Sequence, residues 1–224
     1  MQQPLPPAQL VSLGTVWGNP ASDWIQVRGN EVQQSCLKGA AGGGYGAKAA
    51  GRLLVFMSLK TARLTLRPQL PADAAAMFAI LSDPESMRFW NRPAVIRLAV
   101  VEALIREQQA AMADGLCRYW TVICAEDAIG SVDLSMIESG SAELGFLLRR
   151  DCWGKGLATE AAAAVIAHGF GRLGLARLAA AVQTGNRAAA RVLEKNAFIC
   201  VQSRAAVLAD GQSKTCDFYL RERD

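Results

Sequence analysis

"RRDCWGKGLATEA", residues 149–161, joins an apolar run to an alanine-rich one, and the fold turns on how that junction is read. Upstream, "AELGFLLR" (142–149) alternates. Leu144, Phe146 and Leu148 share one side, and Glu143, Gly145, Leu147 and Arg149 the other, which is the period of a strand. Downstream, residues 156–173 are rich in alanine and read as a helix. The strand ends near Arg149 and the helix starts near Gly156 or Leu157. A helix start carries backbone N–H groups without intrahelical partners and the positive end of the dipole. Gly154 and Gly156 remove the Cβ atoms that would keep a ligand off the backbone, and Lys155 adds a mobile positive charge. The segment fits a cradle for phosphate or pyrophosphate. It also fits a strand-to-helix turn that uses glycine for conformation alone.

Other phosphate motifs fit worse. The G-x-x-x-x-G-K-[ST] loop is absent. A formal G-x-G-x-x-G occurs at Gly169, Gly171 and Gly174, with Glu194 further on. It follows a helix and leads into a strand, the reverse of what a dinucleotide fold needs, and reads as a helix C-terminus and loop.

Outward from the junction, the elements alternate. Thr61–Arg67 reads as a strand with Leu64 and Leu66 on one face, and Asp73 as the cap of a helical run stopped by Pro84. Residues 95–113 give a second helix, with Leu98, Val101, Leu104 and Ile105 as its core face. Strand-like runs follow at 118–125, 129–136 and 142–149, separated by turn-forming stretches. After helix 156–173 come strand 177–182, helix 187–195 and strands near 198–204 and 214–221. The expected fold class is mixed α/β (α+β): a mostly antiparallel central sheet, flanked by helices, with one parallel crossover.

Composition narrows the function. A net charge of +4, with no basic run interleaved with aromatics, argues against a nucleic-acid partner. No apolar run approaches the roughly 18–20 residues that span a bilayer. Six cysteines without a C-x-x-C pair, and one histidine, supply no set of metal ligands and suit reduced thiols in a cytoplasmic protein. Residues 1–56 hold nine of the 20 glycines and four of the eight prolines. Such a stretch buries too little apolar surface to offset its backbone entropy. It reads as a disordered or non-native extension, with an ordered subdomain carrying Trp17 and Trp24 as the alternative, and the domain proper as 57–224. His168, on an alanine-rich helix, reads as structural, and Trp120 and Trp153 as packing residues.

Two longer segments make a resemblance specific. Trp153–Ala161, "WGKGLATEA", and Asn186–Phe198, "NRAAARVLEKNAF", resemble in order and spacing the paired motifs of the GNAT N-acetyltransferase superfamily. The branch is that of the RimJ/RimL-type ribosomal-protein N-terminal acetyltransferases. "KTARLTLRP" and "SDPESMRFW" are similar to the same branch's opening, so the resemblance covers about residues 59–221. It implies acetyl-CoA as the donor cosubstrate and no metal. The pyrophosphate would lie on the amides of Cys152, Trp153, Gly154, Lys155, Gly156 and Leu157. The pantetheine arm would lie in a split between strands 142–149 and 177–182, with Asn186 beside it. Trp90 and Asn91 fall in a region that borders the acceptor, and a packing role suits Trp90 equally. The assemblies it allows include a homodimer.

Acyl transfer to an amine needs a neutral amine, a polarised carbonyl and a leaving group. A backbone N–H near Leu144–Leu147 would polarise the thioester oxygen. Glu143 is the first candidate base, against the alternative of an exposed strand carboxylate; Asp133 on the neighbouring strand is the second. The family's proton donor is missing: Leu193 stands where many members carry Tyr, and Ala189 where this branch often has Ser. Neutralising an α-amine at pH 7 costs about 1–1.4 kcal/mol, against about 4.6 for lysine. The expected acceptor is therefore a peptide or protein N-terminus or a small amino compound. The alternatives are a polyamine or aminoglycoside acceptor, and a non-catalytic acyl-CoA sensor. A chain begun at Met57 is expected to keep the melting temperature of the full chain; insolubility would show that residues 1–56 belong to the fold.

Overall fold

Three amphipathic strands between 118 and 148 form the centre of the sheet. The computed structural model describes residues 58–207 and 212–224; the expected extension over 1–56 lies outside them. The elements are β1 (Leu59–Lys60), β2 (Thr65–Pro68), α1 (Ala74–Leu81), α2 (Leu98–Ala113), β3 (Arg118–Cys124), β4 (Asp127–Glu138) and β5 (Ser141–Leu148). They continue with α3 (Leu157–Gly171), β6 (Arg177–Gln183), α4 (Arg187–Lys195), β7 (Ile199–Val207) and β8 (Ser213–Glu222). The sheet runs β1-β2-β3-β4-β5-β6-β8-β7, antiparallel throughout except for the β5–β6 pair. The mixed, mostly antiparallel sheet read from the sequence is the sheet observed.

Strand alternation divides the core between two faces. Trp120, Val132, Leu134, Leu144, Leu148 and Leu178 pack with Ala162, Val165 and Ile166 of α3 and Leu193 of α4. On the other face, Tyr119 and Leu147 pack with Met77, Ile80 and Leu81 of α1 and Leu104 and Ile105 of α2. Helix α3 is the crossover that a parallel pair requires. It ends as Arg172 and Leu173 both donate to the His168 carbonyl, with Gly174 beyond it at φ +65°. The three glycines thus lie at a helix end, as their order indicates. His168 is buried edge-on against Trp120, with ring centres 5.5 Å apart. Among the described residues, no helix is long and apolar enough to cross a membrane.

Three boundaries differ from the sequence reading, each through a tertiary bond. The strand read over 61–67 begins only at Thr65, as β2, because residues 61–64 turn: the Thr61 amide donates to the Leu64 carbonyl (2.9 Å) and the Thr61 hydroxyl to Glu160 (2.6 Å). Helix α2 starts at Leu98 rather than 95, since the Val95 amide donates to the Leu81 carbonyl at the end of α1 (2.8 Å). Asp73 precedes α1 but makes no capping bond to it. Its carboxylate accepts instead from Arg67, the Thr121 hydroxyl and the Leu70 amide, tying β2, β3 and the helix entry together.

Burial works to raise the Asp73 pKa, but the bonds from Arg67, Thr121 and Leu70 outweigh it and hold the carboxyl below its ordinary value. Stability from this group is therefore present above about pH 4, the unfolded value, and lost as pH falls through the folded one. Asp73→Ala strands the Arg67 charge and is expected to cost about 3 kcal/mol in chemical denaturation at neutral pH. The cost shrinks toward acid, and a pH-independent loss would rule out an ionic role.

Candidate functional site

Strands β5 and β6 pair only at Ser141–Arg177, Ala142–Leu178 and Glu143–Ala179. Beyond Glu143 they diverge, although β5 stays paired with β4 as far as Leu148 and β6 with β8 as far as Gln183. The opening becomes a groove lined on one side by Glu143, Leu144, Gly145 and Phe146, and on the other by Ala180–Gln183. Phe89, Trp90 and Asn91 close one end, and Asn186, Ala189 and Leu193 of α4 and its entry complete the wall. The Gln183 amide donates to the Trp90 carbonyl (3.1 Å) across the split, a link that nothing in the local sequence signals.

At the end of β5 a single 3-10 turn, Arg150–Cys152, leads to the glycine-containing loop and α3. Gly154 and Gly156 have φ of +73° and +75°, where side chains with a Cβ are strained. A Cβ on Gly154 would meet no atom within 4 Å, so its outer side is open. The loop amides are not equivalent. Cys152 and Trp153 donate to the Arg149 and Arg150 carbonyls, at 2.9 and 3.1 Å. Among the described residues, those of Gly154, Lys155, Gly156 and Leu157 have no such partner. The reading of six available amides is thus corrected to four, because the 3-10 turn consumes two. The Cys152 side chain is in the core, and the Trp153 indole is held by its bond to the Leu148 carbonyl (2.7 Å).

The loop is braced by a residue that sequence reasoning missed. Arg63 donates to the Lys155 carbonyl (2.9 Å) and to Glu160 in the first turn of α3 (2.7 Å). Arg63 and Glu160 are 97 positions apart, so no local pattern could join them. Asn186 caps α4: its Oδ1 accepts from the Ala189 amide (3.2 Å), which fixes the side chain and leaves its NH2 group uncommitted. Leu147, in the stretch whose backbone N–H is expected to face the thioester of the cofactor, buries its side chain toward α1 and α2. The groove lining on β5 ends one residue earlier, at Phe146.

Glu143 is not an exposed strand carboxylate. It is 7% exposed and Asp133 3%, and Glu143 Oε2 and Asp133 Oδ2 are buried without a protein hydrogen-bond partner. Burial first, and then the charge of Asp133, push Glu143 well above the usual carboxylate range. Burial raises Asp133 to about 7, with the Ser135 hydroxyl pulling the other way. A free-energy cost accompanies this, because the unfolded chain ionises near pH 4 while the folded one holds its proton. Stability is therefore lost as pH rises from about 4 to about 7. Asp133→Asn is expected to raise stability at about pH 8 by about 2 kcal/mol, with the gain vanishing near pH 4. Melting temperatures over that range test this, and a variant less stable at every pH would contradict it.

Residues 63–199 match the acetyltransferase (GNAT) domain family. The chain is 32% identical over 145 residues to the uncharacterised N-acetyltransferase p20 of Bacillus licheniformis, covering 63% of this chain and 82% of that one. It is 31% identical over 153 residues to the uncharacterised N-acetyltransferase YoaA of Bacillus subtilis, covering 64% and 84%. Among solved structures, the ribosomal L7/L12 α-N-protein acetyltransferase RimL with coenzyme A shares the fold at TM-score 0.69 and 18% identity, covering 75% of this chain and 98% of that one. The spermidine N-acetyltransferase of Vibrio cholerae does so at TM-score 0.64 and 20% identity, covering 72% and 96%. With a split sheet, a glycine-opened helix entry and this sequence match, the chain belongs to the GNAT acetyltransferase family and is an acetyl-CoA-dependent N-acetyltransferase.

Proposed function

We propose that this chain transfers the acetyl group of acetyl-CoA to the α-amine of a peptide or protein N-terminus, or to a small amino compound. The observation that carries the reading is the continuity of the groove. It begins at the last β5–β6 pair, runs between unpaired strand edges and has a buried carboxyl at its head. The loop at the end of β5 offers four uncommitted amides to a diphosphate. A hollow of about 410 Å³ lined by Arg187, Arg191, Glu194 and Asp217 adjoins the groove through Asn186 and leaves room for the nucleotide end beside two arginines. The arm would pass between the strands, with the Asn186 amide beside it and a backbone N–H of Leu144–Leu147 toward the thioester oxygen. Holding both reactants in one groove can contribute about 7–11 kcal/mol of the barrier.

In this reading Glu143, which lines the groove, takes the ammonium proton in its ionised form, directly or through a water. The amine nitrogen forms its bond to the carbonyl carbon, the C–S bond breaks, and coenzyme A leaves as thiol. Ala189 and Leu193 both line the groove, so the two positions at which the resemblance implies a hydroxyl carry none. That observation favours a second reading, an acyl-CoA sensor that retains the donor groove. A polyamine is the alternative acceptor.

Incubation with acetyl-CoA and a panel of N-terminal peptides, polyamines and aminoglycosides, with free thiol and product mass followed together, separates these. Thiol release with a mass gain on an α-amine is the expected result; tight coenzyme A binding with no release from any amine favours the sensor. Gly154→Val directs side-chain atoms into the open side of the loop and is expected to weaken coenzyme A binding at least 10-fold, about 1.4 kcal/mol, with the fold retained. An unaltered dissociation constant would remove the loop from the donor site.

A further inference from the structure

The buried carboxyls at the head of the groove form a pair with a distinct geometry. Asp133 of β4 lies opposite Gly145 of β5, and Ser135 opposite Glu143, so all four share the sheet face that α1 and α2 cover. Gly145 permits this: a Cβ there would lie 2.6 Å from Asp133 Oδ1, so the carboxyl occupies the space of an absent side chain. Gly145 also lines the groove, so the Asp133 carboxyl sits against the groove wall next to Glu143.

The charges around the pair make it unusual. Tyr119 lies opposite Asp133 on β3, and the thiol of Cys117, just before that strand, is pushed up to about 12 by burial first and then by the Asp133 charge. Arg92 interacts with Tyr119 and Glu107, and Glu107 with Arg92 and Arg106. Helix α1 brings no titratable side chain, and β6 places only Ala179 opposite Glu143. Among the described residues, the charge that acts on Glu143 is that of Asp133, of like sign. Two carboxyls so placed, with no cation between them, cannot both ionise and titrate as a unit.

We propose that Asp133 is a positioning residue for acetyl transfer: with Glu143 it forms a buried pair that holds one proton and one negative charge, and so serves in turn as proton acceptor and proton donor. The inference rests on the acetyltransferase reading of the groove and supplies the donor that Ala189 and Leu193 do not. The acceptor ammonium gives a proton to the singly charged pair, which becomes neutral. The free amine attacks the carbonyl carbon, and the C–N bond forms. As the C–S bond breaks, Glu143 returns a proton to the departing sulfur, and the amide nitrogen passes its surplus proton to the pair. Release of that proton to solvent restores the starting charge. The sum is one amide, one thiol and one proton.

The pair can be tested without an acceptor. Carbon-13 NMR of the side-chain carboxyls of the wild type is expected to show one ionisation near neutrality, with the partner protonated throughout the neutral range. In Asp133→Asn the Glu143 ionisation is expected to fall by about one pH unit or more, as the like charge is gone. An unchanged Glu143 titration, or two carboxyls ionising in the ordinary acid range, would overturn the proposal and leave the acetyltransferase reading intact. With an amine that the wild type acetylates, Glu143→Gln is expected to lower kcat by about 10²-fold and Asp133→Asn by about 10-fold, with KM for acetyl-CoA unchanged. The double variant should be no slower than Glu143→Gln alone. Fully multiplicative losses, or a displaced acid limb in neither single variant, would show two independent groups. Should Asp133→Asn not fold, Gly145→Ala displaces the same carboxyl and carries the same expectations.

Discussion

A sheet that comes apart between two neighbouring strands leaves backbone donors and acceptors facing each other across a gap. That constraint governs this molecule. β5 and β6 share only three pairs, yet each stays bonded to its outer neighbour for its full length. The gap therefore has rigid walls. Unpaired backbone groups away from water are costly, so such an opening persists where a ligand can complete the hydrogen bonding. An extended amide-containing chain of the kind found in a pantetheine arm is a natural occupant, entering as an added strand would. The surrounding packing holds the walls apart: Leu144 and Leu148 are anchored under α3, and Phe218 and Tyr219 of β8 stand behind β6.

The two ends of the opening use opposite electrostatics. At the loop end, a helix start and free amides favour negative charge, and Arg63 and Glu160 fix the geometry by long-range bonds. At the other end, two carboxyls are withdrawn from water and from cations, which favours their protonated forms. One end thus favours anions, and the other holds carboxyls that keep their protons more readily than ordinary ones. The carboxyl end is costly to the fold, and such local costs are characteristic of sites where chemistry takes place.

Much of this was readable from residue order. Alternation between 118 and 149 places Glu143, Gly145 and Leu147 on one face and Leu144 and Leu148 on the other, and the packing follows that division. The order of Gly169, Gly171 and Gly174 after a helix excludes a dinucleotide loop, and they do end α3. Where the reading strayed, a partner outside the element itself had intervened. Leu81 holds Val95 out of α2, Glu160 bends the chain before β2, and Thr121 and Arg67 draw Asp73 away from its capping role.

By itself, the sequence determined the order and kind of the elements, the faces of the strands, the glycine-opened helix entry and the family. Those features rest on local periodicity and on motifs read along one stretch of chain. Only the tertiary structure decided that Cys152 and Trp153 spend their amides within the loop, that Arg63 braces it, and that Asp133 and Glu143 share one buried face. The reason is physical: burial, and with it the preference of a carboxyl for its proton, is a property of what surrounds a side chain, and residues far away in the sequence supply those surroundings.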